Sequence, residues 1–141
     1  MKKVLARVAT FILGIMMITV LAVPVLAEES QIQPRWEALS TFQCTMDNVS
    51  NLFSNANVSS TASTKSAYSK LTMTLTIQVW NGSAYVDTER SWTSSGTGAT
   101  SIGKNVMLDP GNYRAKSVVA VSSSSGAYIE TITRYSNDIV I

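Results

Sequence analysis

The sequence predicts an all-β fold, an antiparallel β-sandwich of about seven strands, and three observations lead to it. Between Lys70 and Trp80, apolar residues alternate with threonine and glutamine, a period of two that is typical of a strand with one buried and one solvated face. Short alternating segments separated by turn sequences recur along the chain, and no sustained helical period follows Ala27. A single hairpin cannot cover its own apolar face, so a second sheet is expected to pack on it.

Residues 1–27 have the pattern of a secretory signal peptide. A basic start with Lys2, Lys3 and Arg7 precedes an apolar run that Pro24 interrupts, and Val25-Leu26-Ala27 then places small residues at the cleavage positions. A retained membrane anchor is the alternative, because the apolar run is about 20 residues long and could span a bilayer. The helix-breaking proline beside the cleavage sequence favours cleavage, which would make Glu28 the mature N-terminus.

Loss of the signal peptide changes the charge of the chain. The full sequence has eleven basic and nine acidic residues and a net charge of +2. Three of the basic residues lie within 1–27, which leaves eight against nine, a net charge of −1 for the 114 residues that follow (141 − 27). We therefore expect no nucleic-acid partner, and no stable membrane anchor after cleavage. A chain of this length suits a single domain with a real core.

The elements can be assigned in chain order. Residues 28–35 read as a polar lead-in, and the sandwich domain is expected over 36–141. Strands are predicted at Trp36–Met46, Leu52–Val58, the two arms of a central hairpin within Tyr68–Trp92, Ser101–Leu108, Tyr113–Val121 and Ala127–Tyr135, with a short apolar end at Asp138–Ile141.

Turn and loop residues separate these strands. Asn81-Gly82 can take the positive φ angles of a two-residue hairpin turn, and Gly111 can take the positive φ of a type II turn after Pro110. The remaining connections are expected at Asp47-Asn48, at the Ser/Thr-rich segment Ser59–Ser66, at a flexible loop Thr93–Thr100 and at a hairpin loop Ser122–Gly126.

The chain lacks the residues that several kinds of catalysis and metal binding require. The chain has no histidine and one cysteine, Cys44, which removes histidine-based catalysis and histidine or thiolate metal sites. Cys44 lies in strand-like sequence and is interpreted as a small buried hydrophobe, with an intermolecular disulfide or a reactive thiol as the alternative. We predict no catalytic, cofactor-binding or metal-binding residue.

Two patterns could still suggest an enzyme. Ser101-Ile102-Gly103-Lys104 fits an S-x-x-K motif, but none of the other motifs of seryl-lysine hydrolases accompanies it. Asp87 and Glu89 are two apart on a predicted strand, so both would point to one face at a spacing that glycosidase carboxylates use. A solvated strand face with Arg90 nearby is the preferred interpretation.

Three aromatic residues near the central hairpin, Trp80, Tyr85 and Trp92, are the candidate contacts for a ligand or partner. By strict alternation Trp80 falls on the threonine face, where an exposed ring can serve as a platform for a sugar or a protein. The alternative is that these rings seal the ends of the core, and this is the preferred interpretation for Trp92.

The segment Leu108-Asp109-Pro110-Gly111-Asn112-Tyr113, entering an alternating strand, resembles the tyrosine corner of immunoglobulin-like and fibronectin type III-like sandwiches. The resemblance implies that the hydroxyl of Tyr113 bonds backbone a few residues upstream. The whole layout is also similar to small exported β-sandwich proteins of Gram-positive bacteria, through the signal peptide, the Trp-containing first strand, the NGS hairpin, the SW-T-SSG loop and the GNYR strand start. That group has no assigned activity, so the resemblance implies a fold and an extracellular location but no catalytic or binding residue.

Taken together, the sequence predicts a secreted, non-enzymatic extracellular module that binds a glycan or a protein at the cell exterior. The alternative is a membrane-active or self-assembling β-protein, because Ser/Thr-rich amphipathic hairpins are also typical of pore-forming strands. An enzyme is the weakest of the three hypotheses.

Overall fold

A computed structural model of the chain describes residues 36–50 and 54–141, and these residues form two antiparallel β-sheets without a helix. The predicted signal peptide, the lead-in 28–35 and the Leu52-Phe53 start of the second predicted strand lie outside the described residues. The eight strands are β1 (Leu39–Ser50), β2 (Asn55–Thr64), β3 (Lys70–Trp80), β4 (Tyr85–Thr97), β5 (Ala99–Met107), β6 (Asn112–Ser122), β7 (Tyr128–Tyr135) and β8 (Ile139–Val140).

The two sheets form a sandwich, as the sequence predicts. The three-stranded sheet has the order β1-β2-β5, and the five-stranded sheet has the order β4-β3-β6-β7 with β8 also paired to β6. Strand β7 pairs with Lys116–Ser122 of β6, while β8 pairs with Asn112 and Tyr113. Because β3 occupies the other edge of β6, β7 and β8 lie one after the other along the same edge. The described residues between Trp36 and Ile141 belong to one compact unit.

The core lies between the sheets and follows the predicted alternation of β3. Leu71, Met73, Leu75 and Ile77 are buried, whereas Thr72 is exposed on the opposite face. Strand β6 supplies the same pattern one strand away, and the three-stranded sheet covers both. The core side chains from the other elements include Leu39, Phe42, Met46, Val58, Ile102, Val106, Leu108, Val119, Val121 and Ile139.

Two predicted connections in the three-stranded sheet are wrong, because the polar residues there belong to strands. Asp47 and Asn48, expected as a turn, lie inside β1, and most of Ser59–Ser66 lies inside β2. Hydroxyl side chains on the outer face bond across the strands, as between Thr45 and Ser59 at 2.8 Å. Such cross-strand pairs stabilise a sheet, so a Ser/Thr-rich composition here does not indicate a loop.

The predicted flexible loop Thr93–Thr100 is instead a tight corner between the two sheets. Strand β4 continues to Thr97, and β5 begins at Ala99. Gly98 has a φ of +76°, which glycine tolerates best, and its amide donates to the carbonyl of Ser69 at 2.8 Å. A Cβ on Gly96 would lie 2.1 Å from the carbonyl oxygen of Ala99. The two glycines therefore permit a close backbone crossing.

The central hairpin turns through four residues rather than the two predicted. Trp80 pairs with Tyr85, and the amide of Asn81 donates to the carbonyl of Ala84 at 3.0 Å. The side-chain oxygen of Asn81 accepts hydrogen bonds from the amides of Ser83 and Ala84, each at 3.0 Å. This side-chain cap satisfies backbone donors that a two-residue turn would have paired.

The glycines in two other predicted turns differ in conformation. Gly126, in the predicted Ser122–Gly126 hairpin loop, has a φ of +90°, and the loop does join β6 to β7. Gly111 does not have the positive φ expected of it. Its lack of a side chain matters for space instead, because a Cβ there would lie 3.1 Å from the ring of Tyr113.

The start of the domain is held by an arrangement of Trp36, Lys65, Glu130 and Arg134, which we call the N-terminal clasp. The carboxylate of Glu130 accepts hydrogen bonds of 2.8–3.0 Å from the backbone amides of residues 37, 38 and 39. Lys65 donates to the carbonyl of Trp36 at 2.6 Å, and Arg134 lies 5.6 Å from the centre of the Trp36 ring. The clasp fixes the segment that leads into β1.

Candidate functional site

The candidate site lies on the outer face of the five-stranded sheet, at the end where the β3–β4 hairpin turns. The strand register places outward side chains side by side: Trp80 faces Tyr85, Gln78 lies between Asp87 and Arg114, and Lys116 faces Tyr135. We call Trp80, Tyr85, Arg114 and Tyr135 the aromatic–arginine cluster. Four neighbouring strands contribute to it, so only the folded sheet assembles it.

Two of the predicted contact residues meet in this cluster. Trp80 lies on the threonine side of β3 with 40% of its surface exposed. Its ring centre is 5.2 Å from that of Tyr85, and the planes meet at 61°. This edge-to-face geometry is a favoured one for aromatic pairs. Trp80 and Tyr85 thus form one aromatic surface.

Arg114 lies between two rings. Its guanidinium carbon is 4.2 Å from the ring centre of Tyr85 and 4.2 Å from that of Tyr135. Each contact is a cation–π interaction, a type that contributes about 0.5–2 kcal/mol depending on exposure. Because Tyr135 is itself 46% exposed, the stack runs across the sheet and remains open to solvent.

A chain of polar contacts sets the direction of Arg114. The Nε of Arg114 donates to Oε1 of Gln78 at 2.8 Å, and Nε2 of Gln78 donates to Oδ1 of Asp87 at 2.7 Å. Lys116 donates to the other carboxylate oxygen of Asp87 and forms a salt bridge with it. Gln78 is only 6% exposed, so its amide cannot easily exchange these partners for water.

The charges at the site affect two titrating groups. Hydrogen bonds from Lys116 and then from Gln78 hold the pKa of Asp87 below its ordinary value. Desolvation and a hydrogen bond with Asp138 raise the pKa of Tyr85, against the lowering effect of Arg114. At neutral pH the site therefore holds an ionised Asp87 and a neutral Tyr85.

The carboxylates considered for acid–base chemistry are not placed as a regular strand would place them. Thr76 pairs with Ser91 and Gln78 with Asp87, so residues 88–90 form a bulge opposite a single residue of β3. The alternation that would bring Asp87 and Glu89 to one face is interrupted there. Asp87 is already engaged by a cation and an amide, and it holds Gln78 in place.

The other residues singled out in the sequence lie apart from the cluster. Trp92 pairs with Leu75 and packs half-buried against the core, which matches its preferred interpretation. Tyr113 is buried on β6, and its proposed tyrosine corner stays a prediction. Ser101 and Lys104 are three apart on β5, which puts them on opposite faces of a strand rather than together.

Cys44 is partly buried on β1, and its thiol is free in this single chain. Desolvation by burial raises the pKa of its thiol to about 11, although the charge of Arg134 acts in the other direction. A thiol with so high a pKa is almost wholly protonated at neutral pH and is a poor nucleophile. This matches the expectation of a small hydrophobic side chain.

Within residues 36–50 and 54–141, no three acidic or cysteine side chains converge in a way that could hold a metal ion. The same residues contain no helix that is long and apolar enough to cross a membrane. A scan of protein-family models finds no match to the chain, and a search of curated proteins finds no significant match. Function must therefore be argued from the geometry of the site.

Sequence reasoning missed Arg114, Tyr135 and Gln78 as members of the site. A signal was present on β6, where Arg114 and Lys116 alternate with the buried Tyr113 and Ala115 and so point outward with the threonine face. What the sequence could not supply was the strand order that brings β7 beside β6 and β6 beside β3.

Proposed function

We propose that the protein is an exported, non-enzymatic module of immunoglobulin-like or fibronectin type III-like architecture that binds a glycan through the aromatic–arginine cluster. The observation that carries the proposal is the exposure of Trp80 and Tyr135 on a sheet face, in a cluster that long-range contacts hold in place. Exposed aromatic rings supported in this way are typical of ligand-contact surfaces.

The surface beside the cluster supports a glycan. The same face continues as rows of short hydroxyl side chains, with Thr72 facing Ser95 and Thr74 facing Thr93, each pair 3.3 Å apart. Sugars present an apolar ring face and a rim of hydroxyl groups, so a ring platform flanked by small donors and acceptors is complementary to them. A flat face of this kind suits an extended chain better than a small enclosed ligand.

The strand order supports the architectural part of the proposal. In immunoglobulin constant domains, strands A, B, E and D form one sheet and C, F and G the other. With the strands lettered in chain order, β1, β2 and β5 take the places of A, B and E, and β3, β6 and β7 those of C, F and G. Strand β4 extends the second sheet beside β3, on the sheet to which variable-type immunoglobulin domains add strand C′.

The experiment for the site compares matched aromatic substitutions. Mature protein is screened against immobilised glycans, and the best ligand is titrated against Trp80→Ala, Tyr135→Ala and Tyr128→Ala. Tyr128 is the control, because it is 71% exposed at the other end of the same sheet. We expect the first two variants to lose binding by about tenfold or more, while Tyr128→Ala keeps it. Equal losses in all three variants, or no glycan bound, would contradict the proposal.

Export is tested by N-terminal sequencing of the protein in culture medium. A sequence starting at Glu28 is expected from the Val25-Leu26-Ala27 cleavage pattern. Recovery only in membranes, with residues 1–27 intact, would show a retained anchor and contradict the secreted form of the proposal.

The membrane-active alternative is tested by release of dye from liposomes. The side chains that a pore would turn towards lipid, such as Met73 and Leu75, are buried between the two sheets. Insertion would require the sandwich to open, so we expect no leakage from the folded mature protein. Dose-dependent leakage at micromolar protein would favour the alternative over the binding module.

A further inference from the structure

We propose that the aromatic–arginine cluster takes a carboxylate of its ligand on the terminal nitrogens of Arg114, so that the ligand is an acidic glycan containing uronic acid residues. This inference rests on the proposed function and deepens it by naming the ligand class. The starting observation is that Arg114 carries a positive charge but has no carboxylate beside it among the described residues.

Arg114 has no carboxylate partner in the part of the chain that the structure describes. The one salt bridge among these residues joins Lys116 to Asp87, and the only side-chain hydrogen bond of Arg114 among them uses its Nε. Its two terminal nitrogens carry four N–H donors in a planar fork that matches a carboxylate. Arg114 is partly buried beside two rings, so the unused donors mark a place for an external acceptor.

The guanidinium group of Arg114 is preorganised in the free protein. The rings of Tyr85 and Tyr135 lie 4.2 Å on either side of the guanidinium and restrict its plane. Gln78 fixes its direction through the Nε contact, and Gln78 is itself fixed by Asp87. A side chain that is already ordered loses little entropy on binding. A bidentate carboxylate contact is thus favoured over a loose charge attraction.

The other charges near the site distinguish Arg114 from a general basic patch. Lys116 is neutralised by Asp87 and adds little net attraction. Asp138 lies against the hydroxyl of Tyr85 and opposes an incoming anion. Attraction at the site therefore depends on the directed donors of Arg114 rather than on net positive charge.

A uronic acid fits better than the acidic side chain of a peptide. In a uronic acid the carboxylate is attached to the sugar ring, so one residue can pair with Arg114 and lay its ring on Tyr135 or Trp80. An Asp or Glu side chain could pair with Arg114 but carries no ring of its own, so contact with the exposed rings would have to come from other residues of the peptide. The combination of a fork and flanking rings therefore selects a charged sugar.

The test uses two glycans with the same sugar backbone, oligogalacturonate with free carboxylates and its methyl ester, which has none. Calorimetric titration is done with the mature protein and with Arg114→Gln, Arg114→Lys and Arg90→Gln. Arg90 is the control because it lies in the exposed β4 bulge outside the cluster. We expect the acid to bind about tenfold or more tighter than the ester, and Arg114→Gln to remove that preference.

Two further variants sharpen the result. Arg114→Lys keeps the charge and loses the fork, so it should lose most of the preference for the acid, whereas Arg90→Gln should keep it. Asp138→Asn removes the opposing charge and should tighten binding of the acid but not of the ester. Unfolding midpoints measured for each variant separate loss of binding from loss of fold.

Three results would overturn the inference. If the ester binds as well as the acid and Trp80→Ala weakens both, the glycan-binding proposal stands and the carboxylate inference is wrong. If neither glycan binds but poly-glutamate binds in an Arg114-dependent way, the partner is an acidic peptide. If neither glycan nor poly-glutamate binds, the carboxylate inference is wrong, and the glycan screen with Trp80→Ala and Tyr135→Ala decides the glycan-binding proposal by itself.

Discussion

The aromatic–arginine cluster and the N-terminal clasp are built from the same kinds of residue but use them differently. Each contains an arginine near aromatic rings and a carboxylate close by. In the clasp, Glu130 bonds three backbone amides, and Arg134 donates to the carbonyl of Phe42. Beside the cluster, Asp87 accepts a hydrogen bond from the side chain of Gln78, and Arg114 of the cluster uses one nitrogen to donate to Gln78.

This difference separates a structural role from the binding role proposed for the cluster. Charged groups that point at the main chain satisfy backbone donors and acceptors that would otherwise be left unpaired, which stabilises the fold. Charged groups that bond only one another, and leave donors open at the surface, contribute less to the fold and can serve a ligand. Substitutions in the clasp should therefore change stability, and substitutions in the cluster should change binding.

The largest expected effect is on the core that supports both regions. Leu75 is fully buried in the middle of β3, so Leu75→Ala should lower the free energy of unfolding by roughly 2–5 kcal/mol. Thr74→Ala, on the outer face beside Thr93, should cost less than about 1 kcal/mol. Chemical denaturation of the two variants measures the contrast, and equal losses would show that the facing of β3 is wrong.

The next effect concerns the clasp. Glu130→Ala removes the acceptor of three backbone amides and should lower the free energy of unfolding by roughly 2–3 kcal/mol. Glu89→Ala is the matched control, since Glu89 is exposed in the β4 bulge and its loss should cost less than about 0.5 kcal/mol. If both variants unfold at the wild-type midpoint, the clasp does not have a structural role.

The sequence could predict those parts of the fold and of the candidate site that depend on a local pattern of residues. The alternation around Leu75 predicts the buried face of β3, because side-chain direction in a strand follows from neighbouring residues alone. Trp80 and Tyr85 could be paired in advance because one hairpin joins them. Arg114 and Tyr135 reach the same cluster only through the order and register of four strands, which no local pattern specifies.

The wrong assignments have a common physical origin. Ser59–Ser66 and Thr93–Thr100 were expected as connections because serine, threonine and glycine are frequent in loops. In the folded chain the hydroxyls bond across strands, as between Ser94 and Thr100 at 2.9 Å. The composition of a segment indicates only its own conformational preference. The conformation of these two segments depends instead on the strand with which each one pairs.

A smaller effect on stability is expected in the cluster. Arg114→Gln removes two ring contacts and the donor to Gln78, which at a site open to solvent should cost about 1.5 kcal/mol in the free energy of unfolding. This is less than the loss for Glu130→Ala, although Arg114→Gln is the variant expected to lose the preference for an acidic ligand. Thermal and chemical unfolding of both variants test the order. The reverse order would mean that Arg114 mainly holds the fold.

The smallest effect is a difference in pH dependence between the two regions. Burial raises the pKa of Glu130, but backbone hydrogen bonds and the charge of Lys65 outweigh it and hold the pKa below its ordinary 4.5. Lys116 and Gln78 hold the pKa of Asp87 below its ordinary 3.8. A carboxylate with a lowered pKa stabilises the fold above its unfolded-state pKa, and this stabilisation disappears as the pH falls through the folded-state value.

Wild-type protein should therefore lose stability as the pH is lowered from about 5 towards 3. Glu130→Gln should flatten this loss clearly, because three amides bond the ionised group. Asp87→Asn should flatten it only slightly, because the Asp87 side chain is half exposed and solvent screens its ion pair. Added salt should remove the Asp87→Asn effect and leave most of the Glu130→Gln effect, since the latter depends on directed hydrogen bonds. Denaturation midpoints measured against pH at low and high salt decide the matter, and a larger effect for Asp87→Asn would reverse the roles assigned to the two regions.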